Sequence, residues 1–187
     1  MQLMNSTQAK FKRLVSEEEL FTPLDRVVSD KTTKNITNYK SLKTKLAEVE
    51  TITYKTEHIT ITVESSEEDG QKQTSVVVAD KFGTVFSLTG KDAKLECTPV
   101  GVTDGVVFAV KVPRYDLEDG SVNVFYTNKE HRLIQLLDED NELASIQDVH
   151  VTKDFKVLIK ATHKQGHTVW LYNNKLNALL KATQEYN

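Results

Sequence analysis

Five histidines are the first candidates for chemistry in this chain: His58, His131, His150, His163 and His167. His163 and His167 flank one short polar turn, and His131 sits in an equivalent turn upstream. Two imidazoles across a hairpin hold a metal if a third ligand, such as His150, comes close, because zinc takes three or four N, S or O donors in a tetrahedral array. The spacing is not the helical HExxH pair of a zinc protease. Surface or hydrogen-bonded histidines are the commoner outcome of an unpatterned set. Asp138-Glu139-Asp140-Asn141-Glu142 is dense in oxygen donors but lacks the bend glycine and terminal spacing of an EF-hand loop. That run and Glu67-Glu68-Asp69-Gly70 both read as solvated turns. Cys97 is the single cysteine, so neither an intrachain disulfide nor a Cys-based zinc cluster can form. It reads as a half-buried thiol in a reducing compartment, with no neighbour to activate it.

The remaining chemistry is sparse. No phosphate loop, dinucleotide fingerprint or nucleophile elbow is present. Gly101 to Gly105, GVTDG, is a glycine turn between strands rather than a phosphate cradle. No carboxylate pair sits beside an aromatic platform of the kind glycoside hydrolysis needs. The expectation is therefore a protein that is not an enzyme and takes no cofactor. Lys81, Lys129 and Lys164 occupy three turns; as rim residues they could track phosphates, with Phe82 and Phe125 stacking on bases. Acidic turns nearby oppose this, and lysine in turns also protects sheet edges. A formal charge of -3 supplies no strong field for nucleic acid or an anionic membrane. Nucleic acid is not the expected partner.

The elements that must position these residues begin with a hairpin written three times. Ser75–Leu88 reads SVVVADKFGTVFSL, Ser121–Leu136 reads SVNVFYTNKEHRLIQL, and Lys156–Tyr172 reads KVLIKATHKQGHTVWLY. Each is a β-rich run, a polar lysine turn and another β-rich run. The turn lysines recur at intervals that straddle the ~40–45 residues of a propeller blade. His58 to Val63 alternates, placing Ile59, Ile61 and Val63 on one face, and Val106 to Val112 reads as a further strand closed by Pro113. The stretch VHVTKDFKVLIKATHKQGHTVWLYNN, Val149–Asn174, resembles the inner strands of a WD40-type β-propeller blade, with WLYN at Trp170–Asn173 where that family tends to end in WD. Ala79–Leu88 resembles a blade's second-to-third-strand turn. The resemblance covers about residues 50–173 and lacks both the Gly-His pair and Trp-Asp itself. It implies stacked antiparallel sheets, but three units fall short of the four to eight that close a ring. A sandwich or meander explains the same alternation.

The fold class expected is mainly β: an antiparallel propeller-like or sandwich/meander body with short N-terminal helices and a C-terminal helix. Residues 1–50 form a helical arm, 51–174 the β domain and 175–187 the last helix. In the arm, Phe11, Leu14 and Val15 fall at helical spacing, and a second helix is predicted over Tyr39–Val49 with Leu42 and Leu46 on its stripe. Thr32–Asn38 between them is polar and turn-like. Leu176, Leu179 and Leu180 form the apolar side of the C-terminal helix. Helices this short need something to pack on, so these eight residues are the candidates for binding neighbouring protein chains in a homo- or hetero-oligomer. Neither a secretory h-region nor a membrane span is seen. The expected setting is cytoplasmic, or a large particle such as a virion, and the expected role is structural or assembly. A clamp-like nucleic-acid-binding β protein and a metal-dependent enzyme are the alternatives.

Overall fold

The computed structural model describes residues 27–38, 45–68, 70–114, 117–130, 132–137 and 142–185. Alternation of side chains drives the first sheet. In β3 (Thr60–Glu68) Ile61 and Val63 point inward, and in β4 (Gln71–Asp80) Val76 and Val78 do the same. Flanked by β1 (Val28–Asn38), β2 (Lys45–Lys55) and β5 (Gly83–Gly90), they form an antiparallel meander in chain order.

The second sheet contains β6 (Lys94–Leu95), β7 (Val100–Val102), β8 (Gly105–Arg114), β9 (Leu117–Asn128) and β10 (Ile134–Gln135). Its order is β10-β9-β8-β6, with β7 also paired to β8. Thr103 and Asp104 link β7 to β8 with φ of 37° and 59°, the double left-handed geometry that suits a two-residue hairpin. Gly105 follows because a Cβ there would lie 2.4 Å from the Thr127 carbonyl oxygen. The glycine turn read from GVTDG is thus a hairpin bend. The third sheet is β11 (Leu143–Val151), β12 (Val157–His163) and β13 (Thr168–Asn173), followed by helix α1 (Lys175–Glu185).

β8 explains how the sheets stack. Val106, Phe108 and Val110 join Ile59, Ile61, Val76 and Val78 in one core. Their sequence neighbours Val107 and Ala109 join Val122, Val124, Tyr126, Ile146, Val149, Val157 and Ile159 in another. The uninterrupted apolar run of β8 is what a strand covered on both faces requires. The middle sheet is therefore sandwiched between the first and third. Phe86, Phe108 and Phe125 interlock in the first core, with ring centroids 5.3 to 5.6 Å apart.

The body is mainly β and antiparallel, and all three lysine hairpins form. Among the described residues the stack does not close into a ring. The arm differs from expectation. Thr32–Asn38 is strand rather than turn, and from Lys45 the helix predicted over 39–49 is replaced by β2. β2 gains backbone partners on both sides, from β1 and β3, and that pairing outweighs the helix propensity of Leu46, Ala47 and Glu48. The β body therefore starts at Val28 rather than at residue 51. Phe11, Leu14, Val15 and Leu42 lie outside the described residues.

Candidate functional site

In the third sheet, register assigns each side chain to a face. His150, Leu158 and Tyr172 stand opposite one another across β11, β12 and β13, as do Asp148, Lys160 and Trp170. Residues directly opposite share a face. Their chain neighbours Val149, Ile159, Val169 and Leu171 pack inward on the core shared with the second sheet. The outward face therefore carries a tryptophan, a tyrosine, a histidine and Leu158.

Its polar groups are arranged around the rings. Lys160 Nζ lies 5.4 Å from the Trp170 ring centroid and Lys156 Nζ 5.7 Å from that of Tyr172, within range of cation–π attraction. Lys156 Nζ also lies 3.2 Å from Asp154 Oδ2. A hydrogen bond to the Tyr172 hydroxyl, then Asp154, raises the Lys156 pKa above its ordinary value. The turn between β11 and β12 holds Asp154 in place. Thr152 Oγ1 donates to Asp154 Oδ1 at 2.5 Å and accepts from the Lys156 amide at 3.0 Å. The Thr152 bond is the leading cause of a lowered Asp154 pKa. His150 Nε2 pairs with Asp148 Oδ2 at 2.9 Å. Tyr172 is 41% exposed, while Leu158, at the centre, is 1% exposed. Such a face can recognise a polypeptide by apolar contact and carboxylates at once.

The opposite end of the stack differs. On the outward side of the first sheet, Thr32, Thr51, Glu64, Ser75 and Thr89 stand in one row across five strands. They line a hydroxyl-bearing depression of about 380 Å³, with Val49 also at its wall.

The described histidines are each engaged elsewhere. His163 Nδ1 accepts from the Gln165 amide at 3.0 Å, which leaves Nε2 as the donor to Glu142 Oε2 at 3.0 Å. Both its nitrogens are engaged, and its ring stacks on His167 with centroids 4.4 Å apart. His58 lies 3.5 Å from Asp104 and His150 is committed to Asp148. His131 lies outside the described residues. Among the described residues no group of three metal-ligating side chains forms. The Cys97 thiol is pushed up to about 12 by burial, reinforced by Asp148 and Glu96.

Lys81, Lys129 and Lys164 are all exposed in turns. His58 and Asp104 bring the Lys81 and Lys129 ends of the first two sheets together; Lys164 belongs to the third sheet, beside Glu142. Phe125 is not a stacking platform, because it is part of the first core; Phe82 is 74% exposed, with Lys81 Nζ 5.0 Å from its ring. Leu176 and Leu180 are 0% and 5% exposed within this chain's own core, and Leu179 packs against it. Burial takes Leu176 and Leu180 out of the surface set, while Leu179 stays half-buried. Leu46 is a β2 residue opposite Thr37. Alternation along Trp170-Leu171-Tyr172 is a local signal for the two aromatics sharing a face, but sequence reasoning missed the lysines. The available signal was Lys160, two residues from Leu158 and hence on the same face.

Compared with protein-family models, with curated proteins and with solved structures, the chain matches none. Among the described residues no helix is long and apolar enough to cross a membrane.

Proposed function

We propose that this chain is a non-enzymatic structural or assembly module that binds other protein chains through its outward sheet surfaces. The observation that carries the reading is the outward face of the third sheet, where Trp170 and Tyr172 lie beneath Lys160 and Lys156. Aromatic residues ringed by long polar side chains are the usual anchors of protein recognition. Three antiparallel sheets stack in chain order as a sandwich-like body, and a stack with two ends accepts further layers from neighbours. A place in a large particle, such as a virion, suits a body of this kind.

Light scattering coupled to size-exclusion chromatography tests this. The expected result is a mass above the 21.2 kDa of one chain, alone or with a copurifying protein, that falls to one chain in the Lys160→Glu/Tyr172→Glu variant. A single-chain mass at every concentration, with nothing copurifying, would overturn the reading.

A further inference from the structure

The depression on the outward face of the first sheet, about 380 Å³, falls within the ~300–1,000 Å³ of small-ligand sites. Strand register explains its chemistry. Glu64 stands between Thr51 and Ser75, and Thr32 and Thr89 extend that row to both edge strands. The next row is Val49, Ser66 and Gln73. Neighbours within a row lie ~5 Å apart and the two rows ~7 Å apart. Hydroxyl, carboxylate and amide groups therefore meet one ligand at several points. Thr89 Oγ1 donates to Ser75 Oγ at 3.4 Å, which leaves the Ser75 proton to be given elsewhere. Among the described residues Glu64 is exposed and in no ion pair, and no cationic side chain lines the depression.

That composition selects among ligands. A carboxylate with no cation beside it repels phosphates, sulfates and acidic sugars. A divalent cation takes six or more oxygens, several of them from carboxylates or carbonyls, and the described lining supplies one carboxylate. An apolar ligand would desolvate the hydroxyls without replacing their hydrogen bonds. What fits is a neutral molecule that donates and accepts at short intervals and has C–H surface to set against Val49. We propose that the depression binds a neutral saccharide, with Glu64 accepting from two neighbouring sugar hydroxyls and Thr51, Ser75 and Gln73 completing the set. It holds the sugar without cleaving it, since glycoside hydrolysis takes a pair of carboxylates. The site goes beyond the assembly reading, which stands on Trp170 and Tyr172 at the other end of the stack.

Amide NMR of the full chain, titrated with the methyl glycosides of glucose, mannose and galactose and with trisaccharides of the same units, tests this. At least one sugar is expected to move the amides of Thr51, Glu64 and Ser75 saturably, while those of Val157 and Ile159 in the far core stay in place. Equal affinity for the single sugar and the trisaccharide indicates a free sugar; tighter binding of the trisaccharide indicates a glycan chain laid across the strands. In the Thr51→Val/Glu64→Gln variant the affinity falls about tenfold or more, because hydrogen bonds to a charged group are lost. Valine keeps the β-branched shape that strands favour. Should the double variant unfold, Glu64→Gln alone, at an exposed position, is expected to show the loss. Still amides with every one of these sugars would overturn the inference. So would undiminished affinity in Glu64→Gln, equal binding of methyl glucuronide, or the same movement with calcium chloride alone. The Lys160→Glu/Tyr172→Glu variant is expected to bind the sugar unchanged, so this inference and the assembly reading fail separately.

Discussion

Glu96 is the residue whose surroundings are most at odds with its chemistry. Its side chain is 2% exposed, with Lys94 Nζ 3.7 Å away. Oε1 has no hydrogen-bond partner among the described residues. Burial raises its pKa above the usual carboxylate value, while Lys94, Lys111 and the Ile146 amide pull the other way without prevailing. Cys97 and Asp148 complete the ionisable neighbourhood. A carboxyl whose folded pKa is raised stabilises the fold when protonated, and that contribution is lost as pH rises through the folded value. Glu96→Gln keeps the volume and removes the charge. The variant is expected to be more stable than wild type at neutral pH, with the difference vanishing in acid, where both carry a neutral group. Urea denaturation at two pH values checks this; a variant less stable at neutral pH would mean that the Lys94 pairing outweighs burial.

At the scale of elements, helix α1 shows how a correct prediction can acquire a different meaning. Leu176 and Leu180 lie at the i, i+4 spacing of one face and complete the core between the second and third sheets. Asn173 Nδ2 donates to the Leu136 carbonyl at 2.6 Å, and Asn177 Nδ2 donates to the Asp154 carbonyl, fastening both sides of the helix start. Leu176→Ala is therefore expected to cost about 2–5 kcal/mol of stability without altering the mass measured by light scattering. A change of mass with stability intact would restore Leu176 to the partner surface. The hairpins β4–β5, β9–β10 and β12–β13 were legible because alternation and polar turns are local signals. β1 was not, since Ser29-Asp30-Lys31-Thr32-Thr33-Lys34 has no apolar alternation; it is an edge strand whose lysines suit an edge. β2 misled because Leu42, Leu46 and Val49 fit a helical stripe, while its strand state depends on partners distant in sequence. The candidate face was half legible: the phase of Trp170 and Tyr172 is local, but their lysines arrive from β12 and the turn before it.

For the whole molecule, the question is whether three layers behave as one unit. The first and third sheets touch separate faces of the second, so each core is a nearest-neighbour junction, as in stacked repeats. Phe108 is 1% exposed and its ring meets both Phe86 and Phe125. Phe108→Ala hollows out the first junction alone and is expected to cost about 3–5 kcal/mol. Because Val157, Ile159 and Ala161 belong to the other core, their amides should keep their hydrogen-exchange protection while those of Ile61, Val76 and Val78 lose it. That polarity follows from β8 having two faces with different partners: opening one leaves Val107 and Ala109 packed on the other. Equal loss of protection in the first and third sheets would instead show that β8 transmits the damage and that the stack unfolds as a single cooperative body.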